Sequence, residues 1–425
     1  MQAIHRKDYT EQLAAGLASI AGRSEKRLEA WNHFRQLGLP TSKSEEYKFT
    51  PLTRWLEKST DWTAPSADGT DHTLTASLRL PLSGPVAVLV NGVFSPVLSS
   101  IPAIEGLSVQ PLADETPQFP AGLHAHPPDP FAALNAAAYA GGLVVHVAQG
   151  VRVAEPLTVL HVQTAGSQPI QVHARLLVHL GADAQLTLVQ QTNTLGNHRA
   201  FHTVVEEIMV ENKASLDYYK IQDDRGKSGE VWNTAIRQAD ESRVDTFTLT
   251  MGGELVRNNF RIEVAGEYCE SHFHGLYLLQ GDTLADNHTV VDHQKPHSFS
   301  NEMYKGVMAD RAKGVFNGKI FVRPHAQKTN AYQSNRNILL SDTATVNTKP
   351  QLEIWADDVK CSHGCTTGQL DENALFYLRS RGLAEETARA MLLYAFAAET
   401  LDTIRNPALK EHIDKLVSGR LHKDF

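Results

Sequence analysis

The sequence predicts a mostly β protein in which a long central region of short strands is flanked by helical segments. Three observations carry this. From about residue 142 to 366, β-rich runs recur with no helical periodicity, at 143–147, 157–162, 174–180, 185–190, 203–210, 215–221, 244–250, 260–264, 275–279 and 315–322. Beneath them lies a weak repeat of polar-led turns entering strands, at 181–184, 211–214, 240–243, 266–269, 310–313 and 341–344, most of them near thirty residues apart. Solenoids repeat on that scale, and a coil so small can bury its apolar face only by stacking on its neighbours. A sandwich or jelly roll also yields many short strands, so the spacing favours a solenoid without deciding it. Third, helix signals are confined to the two ends.

In order along the chain, residues 1–62 form a helical segment. Ser24 can cap a helix with Leu28, Trp31, Phe34 and Leu37 on one face, stopped by Gly38 and Pro40. Residues 63–141 read as a mixed adaptor rich in Pro, Ser, Gly and Asp, with a strand and turn at 85–94 ending on Asn91-Gly92. Residues 142–366 are the solenoid core. Residues 367–425 return to helix: Asp371 caps 372–381 before Gly382, a longer helix spans 385–404, and Asn406-Pro407 opens a third. The middle helix has two apolar stripes, Met391, Leu392, Ala395 and Ala398 on one side and Leu393, Phe396, Ala397 and Thr400 on the other. A helix lying on a surface needs only one such stripe, so the second is either buried or kept for a partner.

Composition narrows the function classes. The chain has 425 residues, 42% of them hydrophobic, and 40 Lys+Arg against 48 Asp+Glu give a formal charge of -8 with no long run of one sign. Neither a nucleic-acid surface nor a polybasic membrane footprint is expected from that balance. The longest apolar stretch, 136–151, is broken by Gly141, Gly142 and His146 and is shorter than the ~20 residues a bilayer requires. No signal-peptide core follows the first residues, and three cysteines make no disulfide framework, so a reduced, cytoplasmic protein is expected.

Four motifs invite chemistry. Gly226-Lys227-Ser228 mimics the end of a phosphate loop, but Ile221 stands where that loop needs glycine. His198 and His202 have the spacing of a zinc protease, with Arg199 in place of the catalytic Glu. Cys269, His272 and His274 are more suggestive, because residues two apart on a strand share a face, and His288, His293 and His297 follow. The strongest set is Cys361-Ser362-His363-Gly364-Cys365, whose thiols and imidazole project together if the backbone is extended. Thiolate and imidazole are donors for iron–sulfur sites, yet three donors fall one short of the usual four. Another chain or a transient ligand would complete the set; the bland alternative is inert buried thiols.

At these residues the sequence resembles a known family. Asn347-Thr348-Lys349-Pro350-Gln351-Leu352-Glu353-Ile354, Ala356-Asp357-Asp358-Val359-Lys360-Cys361-Ser362-His363-Gly364 and Phe376-Tyr377-Leu378-Arg379-Ser380-Arg381-Gly382 resemble the carboxy-terminal signature of the SufD family, subunits of the SUF iron–sulfur cluster assembly scaffold. Leu39-Pro40-Thr41 and Glu46-Tyr47-Lys48-Phe49-Thr50-Pro51-Leu52 extend the likeness to the amino-terminal region. The paralogous SufB subunits read Cys-Glu-His-Glu where this chain has Cys361-Ser362-His363-Gly364. Family members commonly carry a small residue at the position of Cys365, which marks that thiol as incidental.

The resemblance implies a right-handed parallel β-helix, a heterodimer with SufB through that β-helix, and docking of the SufC ATPase on the C-terminal helices. Leu392, Leu393 and Phe396 are the expected contacts there. It implies that His363, with Cys361 beside it, helps hold a nascent iron–sulfur cluster shared with SufB, and that the subunit aids iron entry without catalysis of its own. A reduced flavin is associated with the assembled complex in that family, and whether it touches this chain is open, as is a homodimer in isolation. Two other readings stand beside this one: a β-solenoid enzyme acting on polysaccharides, and a mononuclear metal protein built on His272, His274 and a later histidine.

Overall fold

From residue 141 onward, successive strands of this chain do not pair with one another. Each pairs in parallel with the strand two further on, which winds the chain into a solenoid with two ladders. The computed structural model describes residues 25–59, 62–64, 72–112 and 129–423; Ser24, the expected first cap, lies outside the described residues. The strands are β1 Val86–Val90, β2 Val93–Phe94, β3 Leu107–Pro111, β4 Gly141–Val147, β5 Leu157–Thr164, β6 Ile170–Leu180, β7 Gln185–Leu195, β8 Ala200–Val210, β9 Ser215–Gln222 and β10 Ser228–Gln238. They continue as β11 Arg243–Thr250, β12 Leu255–Val264, β13 Glu270–Leu279, β14 Leu284–His293, β15 Phe299–Met308, β16 Lys313–Val322, β17 Asn330–Leu339, β18 Thr345–Ile354 and β19 Lys360–Gly368. Odd strands from β5 to β19 make one sheet and even strands from β4 to β18 the other.

The corners explain the repeat. At one of them a non-glycine residue takes left-handed backbone: Asp183, Lys213, Glu241, Tyr268, His297 and Lys328, with φ between 56° and 65°. Such residues are disfavoured by sterics. Here the amides of Asp183, Lys213, Glu241, His297 and Lys328 donate to a carbonyl of the next coil, on Asn212, Asp240, Glu267, Gln327 and Asp358, at 2.7–2.9 Å. A small side chain follows and is buried in each coil: Ala184, Ala214, Ser242, Cys269, Ser298 and Thr329. The turns at 181–184, 211–214, 240–243 and 266–269 belong to this corner, whereas 310–313 and 341–344 lie at the opposite one, between odd and even strands. The long gap in the sequence repeat is therefore a change of corner. The missing members of the first series are the turns holding His297 and Lys328.

The two ends of the solenoid differ. At the start, β1 adds in parallel to β5 and β3 runs antiparallel to β4, so the stretch read as an adaptor covers both ladder ends. The Asn91-Gly92 turn reverses β1 into β2 with positive φ at both residues (49° and 81°). At the other end β18 and β19 are paired on one side only, and their side chains are half-buried or exposed.

Helices cover the outer face of each sheet. On the even face lie α1 Glu25–Leu37, α2 Leu52–Leu56 and, after α3 His72–Ser77, α4 Pro130–Ala138. Trp55, Trp62, Phe131 and Phe201 pack there with ring centroids 5.6–6.4 Å apart. A Cβ on Gly229 would lie 2.5 Å from the Trp55 ring, so only glycine lets the indole reach the sheet. In α1 the expected apolar face is narrower than predicted: Phe34 is buried and Trp31 half-buried, but Leu28 and Leu37 are exposed. Arg27 takes the inner place instead, donating to the Tyr139 carbonyl at 2.9 Å with its guanidinium 4.0 Å from that ring. On the odd face lie α6 Glu385–Leu401 and α7 Pro407–Lys423, with α5 Glu372–Ser380 packed against α6. Asp371 caps α5 by accepting from the amides of Asn373 and Ala374, Gly382 ends it at φ 93°, and the Asn406 side chain caps α7 by accepting from the Leu409 amide.

Candidate functional site at the open end of the solenoid

Strand β19 lies in register with β17, pairing Cys361 with Ala331, His363 with Gln333 and Cys365 with Asn335. Ala331 belongs to the interior core, so the alternation of a strand turns Cys361, His363 and Cys365 toward the hollow of the last coil. Among the described residues, no further coil lies above them. Cys361 is half-buried against the core, and burial pushes its thiol up; His363 and Cys365 are exposed. Alternate residues of a strand stand roughly 7 Å apart, so Cys361 and Cys365 at the two ends of the row lie roughly 14 Å apart along it. Among the described residues, accordingly, no three His, Cys, Asp or Glu side chains converge as a finished metal site. The rim presents these donors in a row without closing them on one ion.

Below the rim the hollow is polar, which sequence reasoning missed. Directly under His363 lies Gln333, and under Gln333 lies Glu302 on β15. Gln333 Nε2 donates to Glu302 Oε2 at 2.6 Å. Gly318 makes room for this amide, since a Cβ there would stand 2.2 Å from Gln333 Nε2. Burial raises the Glu302 carboxyl to about 7, against the lowering influence of Thr289 and Gln333. Deeper still, Lys220 is fully buried among Glu206, Glu230 and Trp232, its Nζ 4.3 Å from the indole ring; burial lowers it to about 8.

The other candidates are placed elsewhere. Cys269 is one of the buried corner residues, its Sγ 3.1 Å from the Ala239 carbonyl oxygen. His272 and His274 share the outer odd face as expected, with rings 6.3 Å apart, and burial lowers both. His288 instead sits on the opposite sheet, His293 bonds Ser300 at 2.9 Å, and His297 stacks on Tyr268, so the later histidines do not join the pair. His202 is buried inside the solenoid beside Gln163, and Gly226 lies in a corner turn whose amide donates to Asp224 Oδ1.

The stripes of α6 are now distinguished. Leu393 is fully buried with Ala397 and Thr400 against the odd sheet, so it is a packing residue and not an open contact. Leu392 and Phe396 are half-buried, and Lys305 Nζ donates to the Phe396 carbonyl at 2.7 Å. The outward apolar surface comes from Met391 on α6 and from Phe376 (73% exposed) and Tyr377 (57%) on α5.

The architecture defines a β-solenoid protein closed at one end and carrying thiol and imidazole donors at its unpaired other end. Residues 161–396 match the model of the SUF system FeS cluster assembly SufBD core domain, and residues 9–159 match that of the SufBD protein N-terminal region. An iron-sulfur cluster assembly SufBD family protein of Synechocystis is 32% identical over 99% of this chain and 97% of its own length. The iron-sulfur cluster assembly protein SufD of Escherichia coli is 31% identical over 92% of each chain, and the SufD of Bacillus subtilis 25% identical over 68% of this chain and 66% of its own. The chain belongs to the SufBD family of the SUF iron–sulfur cluster assembly system.

Proposed function

We propose that this chain is the SufD-type, non-catalytic subunit of a cytoplasmic SUF scaffold. It pairs with a SufB-type subunit through the ends of β18 and β19 and holds the nascent iron–sulfur cluster, its cargo, through His363 and Cys361. The observation that carries this is the unpaired end itself, where, among the described residues, both ladders stop with free strand edges beside a row of donors of which His363 and Cys365 are exposed and Cys361 is half-buried. Exposed sheet edges are templates for pairing, and a second solenoid laid end to end would extend both ladders and supply the missing donors. The incomplete donor set suits a site for entering iron and a passing cluster better than a resident cofactor, and Cys365 stands one step along the same row. The polysaccharide reading is disfavoured, since helices lie over the outer face of each sheet where a substrate groove would run.

The test is anaerobic reconstitution with SufB- and SufC-type partners. His363→Ala, exposed and outside the core, is expected to leave the complex intact and to cut the yield of iron and sulfide at least about tenfold. An unchanged yield in an intact complex overturns the assigned role. We place ATPase docking on the outward surface of α5 and α6, so Phe376→Asp is expected to abolish co-elution with the ATPase while the SufB-type pairing persists. Retained co-elution would remove Phe376 from that interface.

A further inference from the structure

Of the three residues directly beneath the donor row, one carries an unused acceptor. Ala331 under Cys361 has no polar side chain. Asn335 under Cys365 is occupied: its Nδ2 donates to Tyr277 OH and to the Tyr304 carbonyl, each at 3.1 Å, and its Oδ1 accepts from Asn337 Nδ2 at 2.7 Å. Gln333 under His363 differs. It is 3% exposed, its Nε2 donates to Glu302 Oε2 at 2.6 Å, and its Oε1 is buried without a donor. Glu302 lies on β15, one coil further from the rim, and by holding the amide nitrogen it turns the carbonyl oxygen away from its own carboxylate. Neighbouring strands are roughly 4.8 Å apart and in-register side chains on one face stack along the ladder, so the His363 imidazole stands one rung above that amide.

We propose that Gln333 is the positioning residue for His363: its Oε1 accepts the N–H of the ring nitrogen turned away from iron, and Glu302 fixes the amide in the orientation that offers this acceptor. The inference rests on the reading of His363 as an iron donor and adds the group that orients it. An imidazole that binds a metal through one nitrogen keeps a proton on the other, and giving that proton to a carbonyl or carboxylate fixes the tautomer and ring orientation and raises the basicity of the donor. A buried carbonyl oxygen without a donor is itself costly, so the two needs are complementary. An exposed imidazole on a terminal strand has little else to select its rotamer, and a hydrogen bond from below would present the second nitrogen outward, past the strand edge. Gly318 belongs to the same device, since a side chain there would displace the Gln333 amide.

Anaerobic calorimetric titration of the reconstituted complex with Fe²⁺ alone tests it. Gln333→Leu, which keeps the bulk and removes the acceptor, is expected to weaken Fe²⁺ binding roughly tenfold. The exchanged pair Glu302→Gln/Gln333→Glu restores an amide–carboxylate bond with an acceptor oxygen beneath His363, and is expected to recover most of that affinity. Co-elution of the subunits and an unchanged melting temperature separate loss of orientation from loss of fold. Binding that is lost in His363→Ala and unchanged in Gln333→Leu overturns this inference and leaves the role of His363 standing. Binding unchanged in both variants overturns the two together. An exchanged pair as weak as Gln333→Leu, in an intact complex, would show that Gln333 serves packing alone and would also overturn the proposal.

Discussion

Replacing Asp286 by alanine is expected to destabilise the chain by about 3–5 kcal/mol, because it leaves a fully buried guanidinium without its counter-charge. Arg257 is buried on the even face and pairs with Asp286. It also donates to the Glu46 carbonyl at 2.7 Å and stacks 3.9 Å from the Tyr47 ring. Asp286 further accepts from Thr50 and lies 3.0 Å from His288 Nε2, while His288 Nδ1 and Lys319 Nζ hold Glu46 at 3.2 and 2.7 Å. Thus Glu46, Tyr47 and Thr50, which look in the sequence like a family marker, clip the N-terminal segment onto the solenoid. Burial alone would raise Asp286, but Arg257 and His288 overcome it and hold the carboxyl at about 2. Its folded-state value is below the ordinary 3.8, so this stabilisation is present above that pH and is lost as pH falls toward 2. Chemical denaturation of Asp286→Ala and of the Arg257→Leu/Asp286→Leu double variant checks the argument. The double variant should recover most of the loss, since an apolar pair leaves no orphaned charge. A loss below about 1 kcal/mol in Asp286→Ala would mean that water reaches Arg257.

The polar hollow also explains which strands are legible in the sequence. Strands such as β4, β8 and β16 present Val, Ile, Leu and Phe to the interior and read as β at once. Strands β10, β14, β15 and β17 escape that reading because their inward positions include Glu230, Asn287, Glu302, Gln333, Asn335 and Asn337. These side chains are satisfied across coils, as when Tyr277 OH bonds Asn337 at 2.5 Å, and a one-dimensional hydrophobic pattern cannot show a partner two coils away. Strand β19, which carries the donors, reads as K-C-S-H-G-C-T-T-G and has almost no β signal of its own; only the spacing of Cys361, His363 and Cys365 revealed a shared face. The two stripes of α6 were visible, but which one is buried depends on the outer odd face, where Leu276, Leu278 and Phe247 wait for it.

Glu302→Gln is expected to stabilise the chain, and to do so only on the alkaline side. Burial raises the Glu302 carboxyl from 4.5 to about 7, so the folded state favours its protonated form. Folding then carries no cost below about pH 4.5, a growing cost as pH rises toward 7, and a full cost above it. A displacement of that size corresponds to about 3 kcal/mol. Glutamine keeps an acceptor for Gln333 Nε2 and cannot ionise, so the gain should reach that order at pH 8 and vanish near pH 4. Glu230, raised by burial to about 7 as well, keeps part of the alkaline decline in the variant. Denaturant midpoints of both proteins at pH 4.5 and pH 8 provide the measurement. A shift of equal size at the two pH values would show that Glu302 does not titrate on folding. A destabilised variant at pH 8 would show that the carboxylate is ionised and held by partners inside the hollow.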